Sequence, residues 1–128
     1  MPKQVIAPTN VHPARGYAHA YKVGNTIYVA GQVGINPEGQ LVSQTDIVAQ
    51  CDQAYENMKR VLEAAGATMS DVVKITQYLK DINDLAKIRD VRKKYFGDHF
   101  PAATAVQIVS LAMPDLLIEV EAIAVVDR

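Results

Sequence analysis

The stretch Ile118-Glu119-Val120-Glu121-Ala122-Ile123-Ala124 sets two carboxylates two residues apart. On a strand that spacing puts both on one face, where a half-buried member gains a raised pKa suited to proton transfer. Two rim glutamates paired with basic groups of a neighbouring molecule would show the same spacing. A second stretch, FPAATAVQI at residues 100–108, opens with small side chains. Pro101 fixes the entry, Thr104, Val106 and Ile108 share one face, and Ala103 and Ala105 leave the other nearly bare. Bare positions at a strand start serve either packing or the close approach of something to the backbone. The remaining chemistry-bearing residues offer less. His12, His19 and His99 are scattered without metal-ligand spacing, and the lone Cys51 excludes an internal disulfide and a cysteine-based zinc site. No metal or cofactor is implied. Arg89, Arg92, Lys93 and Lys94 form a cationic run of the kind that usually lies on a solvated helix face.

The elements that must position these residues follow from periodicity. YAHAYKVGNTIYVAGQV (17–33) alternates, with Tyr17, His19 and Tyr21 on one face, and Gly24-Asn25 supplies a hairpin turn. NPEGQL marks a second turn, since Pro37 presets φ and Gly39 accepts a left-handed conformation. Over residues 45–65 the period changes. Ile47, Cys51, Ala54, Tyr55, Met58, Val61, Leu62 and Ala65 form one helical stripe, with Thr45 as expected N-cap and Gly66 just past the end. Cys51 falls inside that stripe and reads as a small buried hydrophobe. VVKITQYLK (72–80) predicts a strand. Asn83 or Asp84 then caps a second helix carrying Leu85, Ile88, Val91, Tyr95 and Phe96, closed near Gly97. The last strand, within 116–126, presents Ile118, Val120, Ala122 and Ala124 to one side and Leu117, Glu119, Glu121, Ile123 and Val125 to the other. The order predicts a two-layer α/β sandwich, both helices on one face of a mixed sheet. The second sheet face is largely apolar, which predicts burial against another subunit.

The chain has 128 residues, 49% hydrophobic and 21% charged, and reads as one globular domain over 1–128. A formal net charge of −1 gives no electrostatic case for nucleic acid or an anionic membrane. The N-terminal residues lack an apolar signal-like run and no segment has the length of a membrane span, so a cytoplasmic location is the expectation.

Four stretches in this order resemble the RidA/YjgF family, whose members also carry the label endoribonuclease L-PSP. They are GYAHAYKVGNTIYVAGQVGINPEG (16–39), NMKRVLEAAGATMSDVVKITQYLKDINDL (57–85), FPAATAV (100–106) and IEVEAIA (118–124). The resemblance implies a chorismate-mutase-like fold and a homotrimer in which the second sheet faces form a central barrel, with a ligand cleft at each subunit interface. It implies hydrolysis of reactive 2-imino or 2-enamino acids to 2-oxo acids and ammonia. By the same resemblance Tyr17 falls on a cleft tyrosine, Gly31 on a close-approach glycine, and Glu119 on the glutamate that positions or activates water. The Ala105 backbone falls on a strand amide facing the ligand.

One position departs from that pattern. Deaminase members resembling this chain read Pro-Ala-Arg where it reads Pro101-Ala102-Ala103, and the arginine forks the substrate carboxylate. Losing one partner of a buried charge pair typically costs roughly 2–5 kcal/mol, enough to change substrate preference. Arg89, near the start of the second helix, and Arg15, before Gly16-Tyr17, are the available replacements, and Arg89 sits on the more rigid element. Three functions follow as expectations: an imine or enamine deaminase with altered preference, a non-catalytic trimer that binds a small metabolite, and a ribonuclease. The last lacks a basic cleft, a catalytic histidine pair and a metal site.

Overall fold

The computed structural model describes all residues, 1–128, and contains six strands and two α-helices. In chain order these are β1 (Lys3–Ile6), β2 (Ala20–Val23), β3 (Thr26–Gln32), α1 (Ile47–Ala64), β4 (Val72–Leu79), α2 (Arg89–Phe96), β5 (Ala102–Gln107) and β6 (Ile118–Val125). The strands form one sheet in the order β1-β2-β3-β6-β4-β5. Only the β4–β5 pair is parallel, so the sheet is mixed. That pair is joined through α2, the crossover a parallel connection needs.

Both helices contribute to one core. All eight residues of the α1 stripe are buried, and they pack with Ile27, Val29, Ile75, Leu79, Ile118 and Val120 of the sheet. Ile88, Val91 and Phe96 from the α2 region join the same cluster. On β6 the helix-facing residues Ile118, Val120, Ala122 and Ala124 are buried, while Glu119, Glu121, Ile123 and Val125 alternate onto the open face. The period-two pattern thus sorts this strand as expected.

Three boundaries differ from the sequence reading. Asp46, not Thr45, caps α1, its carboxylate accepting from the Val48 and Ala49 amides. The second helix is not capped by Asn83 or Asp84. Asp81 caps a 3-10 helix, Ile82–Ile88, and α2 proper starts only at Arg89. The expected long strand from Tyr17 begins instead at Ala20, so Tyr17 is exposed in a bend while His19 turns inward and is buried. The hairpin at Gly24, the turn at Gly39 and the helix stop at Gly66 all appear with positive φ. No helix is long and apolar enough to cross a membrane.

Candidate active site

Glu119 stands half-buried on the open face of β6, at a bulge in the neighbouring strand. Val29 pairs with Ala122 and Gln32 with Val120, so Ala30 and Gly31 together oppose the single Glu121. The bulge brings Gly31 under the Glu119 side chain. A Cβ at Gly31 would stand 1.9 Å from Oε2 and 2.6 Å from Cδ of Glu119. The φ of Gly31 is not left-handed, so the position requires glycine for space, not for backbone freedom.

Tyr17 approaches the same carboxylate from the loop before β2. Burial, then the Glu119 charge, push its hydroxyl above the usual tyrosine range. Its ring meets the edge of His19 at a centroid distance of 5.7 Å. His19 in turn is fixed from both ring nitrogens. Its Nε2–H donates to the His12 carbonyl at 2.8 Å, which leaves Nδ1 to accept from Gln32 Nε2 at 3.2 Å. Gln32 Nε2 also donates to the Ala30 carbonyl, inside the bulge, at 3.1 Å. One buried network therefore ties the Tyr17 loop to the backbone that carries Gly31. The sequence reading missed Gln32. Its only signal was a polar residue at a strand position whose neighbours in period are apolar.

Burial, and secondarily the charge of Glu121, raise Glu119 above the ordinary carboxylate range. Glu121 itself is engaged by Tyr78, whose hydroxyl donates to Oε1 at 2.5 Å from the adjacent β4. The two glutamates thus differ in surroundings, one held by a phenol and one left free beside bare backbone. A free, partly desolvated carboxylate next to a glycine can position a water and exchange a proton with it. No group of three His, Cys, Asp or Glu side chains is placed to hold a metal ion.

The other expected site residues are not brought to this point within the chain. Ala103 and Ala105 pair in parallel register with Ile75 and Gln77, both buried beneath the helices. They therefore project toward the helix side of the sheet, whereas Glu119 projects from the open face. β4 also separates β5 from β6, and two strand spacings amount to about 10 Å. Arg89 begins α2, exposed and on the helix side, and Arg15 is exposed beside Gly16. One half of the set gathers around Glu119, and the other half lies along the β5 edge. Cys51 is fully buried, and burial first, with the Asp52 charge, pushes its thiol up to about 12, so it takes no part.

The endoribonuclease L-PSP family model matches residues 8–126, nearly the whole chain. This chain belongs to that family, the RidA/YjgF family. Among its relatives, a RutC family protein of Pyrococcus abyssi is 48% identical over 97% of this chain and 98% of its own length. A protein named 2-iminobutanoate/2-iminopropanoate deaminase from Homo sapiens is 40% identical, over 96% of this chain and 90% of its own. The Escherichia coli protein of the same name is 38% identical over 95% and 97%. The crystal structure of E. coli TdcF with bound serine superposes with a TM-score of 0.90 at 31% identity, covering 97% of this chain and 99% of that one. Membership of the RidA/YjgF family accounts for the mixed six-stranded sheet with its two helices, and the yeast YEO7 structure shares the fold at a TM-score of 0.91, 34% identity, and coverage of 97% and 98%.

Proposed function

We propose that this RidA/YjgF member is a deaminase that hydrolyses reactive imines or enamines, releasing ammonia. The observation that carries the reading is Glu119, a half-buried carboxylate with raised pKa lying over the bare backbone of Gly31 beside Tyr17. Relatives covering nearly the whole chain bear the name 2-iminobutanoate/2-iminopropanoate deaminase, which supports the same chemistry. Glu119 holds a water and takes its proton as the oxygen bonds to the imine carbon. The proton passes to nitrogen, the C–N bond of the resulting amino alcohol breaks, and ammonia and a carbonyl product leave. Water supplies the oxygen and both protons that the nitrogen gains, so the step needs no co-reactant.

The site is completed between copies of the chain in a homotrimer. The division of its residues supports this, because Tyr17, Gly31 and Glu119 lie on the open face and Arg89, Ala103 and Ala105 lie along the β5 edge. A cleft joining one protomer's open face to its neighbour's edge would hold both halves. In that cleft Ala103 offers no cation to a substrate carboxylate, and Arg89 is the nearest rigidly carried replacement, which is why the substrate preference differs from that of members with an arginine there. The binding of serine in TdcF supports a small metabolite as the occupant of such a cleft.

The deciding measurement is ammonia release from enzymatically generated imines of several amino acids, small and large. Wild-type turnover together with its loss in Glu119→Gln, with the oligomer intact by light scattering, is the expected result. Turnover unaffected by Glu119→Gln, or no turnover on any imine, overturns the reading in favour of metabolite binding alone. Arg89→Ala should raise KM with little change in kcat, and Ala103→Arg in that background should restore small 2-imino acid binding. Unchanged KM in both variants removes carboxylate recognition from this edge.

A further inference from the structure

Glu119 and Glu121 leave β6 on the same face, both half-buried, yet only Glu121 accepts a hydrogen bond. The difference comes from one side chain on the neighbouring strand. In the β4–β6 register Tyr78 stands across from Glu119, and Thr76 across from Glu121. Directly opposed residues hold their Cβ atoms about 5 Å apart, so the Tyr78 side chain starts out beside Glu119. Its hydroxyl ends elsewhere. It reaches along the diagonal and donates to Glu121 Oε1 at 2.5 Å.

A short bond from a hydroxyl to a carboxylate is of the strong, charge-assisted kind. That bond, ahead of burial and of the charges of Glu121 and Glu119, lifts the Tyr78 hydroxyl above the usual tyrosine range. Tyr78 therefore keeps its proton and remains a donor. The other ionisable groups on this face leave Glu121 to it. Tyr28 and Lys74 line a dent of about 220 Å³ together with Glu121, but Lys74 stands beyond ion-pair distance of it. Tyr17 feels the charge of Glu119 instead. The two glutamates feel each other, and interacting carboxylates that are both free take up a proton as a pair. Pinning one of them removes that ambiguity.

We propose that Tyr78 is a positioning residue for the chemistry at Glu119: it pins Glu121 to β4, so that Glu119 alone holds the water and passes the proton. The kinetic consequence rests on the hydrolysis proposed above, whereas the division of labour between the two glutamates does not.

Tyr78→Phe tests this, since the ring stays and only the hydroxyl goes. Imine hydrolysis is read on protein whose assembly is verified by light scattering. The kcat should fall about tenfold with KM within about twofold of the wild type, because carboxylate recognition lies on another edge. Adding Glu121→Gln to Tyr78→Phe should return kcat to the level of Glu121→Gln alone, because a neutral amide cannot share the proton. A hydroxyl needed only for packing would leave the double variant as slow as Tyr78→Phe. Carbon-13 NMR of the glutamate carboxyls supplies a readout that needs no turnover. Glu119 should titrate in a single step in the wild type and over two steps in Tyr78→Phe. Wild-type kcat in Tyr78→Phe, a double variant that is not rescued, or a Glu119 titration indifferent to the hydroxyl each overturns the proposal. If the wild type hydrolyses no imine, the hydrolysis reading fails by itself, and the Glu119 titration decides whether Tyr78 separates the pair.

Discussion

Gly31 and Glu119 occupy the same volume in all but name: the space where a Cβ of residue 31 would stand is filled by the carboxylate of residue 119. The bulge in β3 makes that approach possible, and the His19–Gln32 network fixes the bulge. A carboxylate seated on bare backbone has a defined position without needing a salt bridge to hold it. That suits a group required to keep a water in place and still change protonation state.

Gly31→Ala should therefore damage the site first and the fold second. The methyl forces Glu119 off its seat, because the nearest atoms are side chain and can move. The expected stability loss is about 1–3 kcal/mol, typical of overpacking, with turnover reduced far more than that loss explains. Thermal unfolding read beside an imine-hydrolysis assay separates the two effects, and wild-type turnover in a folded Gly31→Ala protein would contradict this account of the seat.

The pH dependence follows from the direction of the Glu119 shift. Burial, then Glu121, raise its pKa, and Glu119 acts on water only as carboxylate. Activity is thus lost as pH falls through this raised value, and the acid limb of kcat/KM should lie above the ordinary carboxylate range. Glu121→Gln removes the smaller cause and should move the limb to lower pH without abolishing it. A limb that stays in place in that variant would rule out coupling between the two glutamates.

Gln50 should be worth far more than a surface glutamine. Its Nε2 donates to the Ser43 carbonyl at 2.7 Å and the Asp115 carbonyl at 2.9 Å, and its Oε1 accepts from the Leu117 amide at 2.8 Å. Fully buried, it fastens the start of α1 to the entry of β6. Gln50→Leu keeps the volume but leaves three backbone groups unpaired, at an expected cost of roughly 3 kcal/mol in chemical denaturation. A loss below 0.5 kcal/mol or so would mean that water replaces those bonds.

Asp71 closes the 3-10 turn Met69–Asp71 before β4, accepting from the Thr68 amide at 2.8 Å and from Arg128 at 2.8 Å. Burial alone would raise its pKa, but those hydrogen bonds and the arginine charge outweigh burial and hold it below the ordinary value. A depressed carboxylate contributes stability that is present above its unfolded pKa and is lost as pH falls through the folded one. Asp71→Asn should therefore cost about 1 kcal/mol near neutral pH and nothing in strong acid. Denaturation midpoints of both proteins across the acid range check the convergence.

Strand alternation and helical periodicity are local, so the sequence alone determined the β6 faces, the α1 stripe and the glycine-marked turns. Each buried apolar group gains by facing the core whatever its distant neighbours are, and period therefore reports orientation directly. Tyr17 and Gly31 were legible as site residues only through family resemblance, while Glu119 was also marked by the strand spacing of two carboxylates. The convergence of the three depends on the pairing of β3 with β6, strands some ninety residues apart in the chain. Only the tertiary structure decided that Asp81 begins a 3-10 helix, that His19 turns inward, and that Gln32 and Gln50 are buried. A polar side chain can be buried when distant carbonyls and amides satisfy it, and nothing in the local sequence says where those groups will be. The same is true of Ala103. Its bare face was readable from the strand, but that this face lies on the helix side, away from Glu119, was set by the parallel register of β4 and β5.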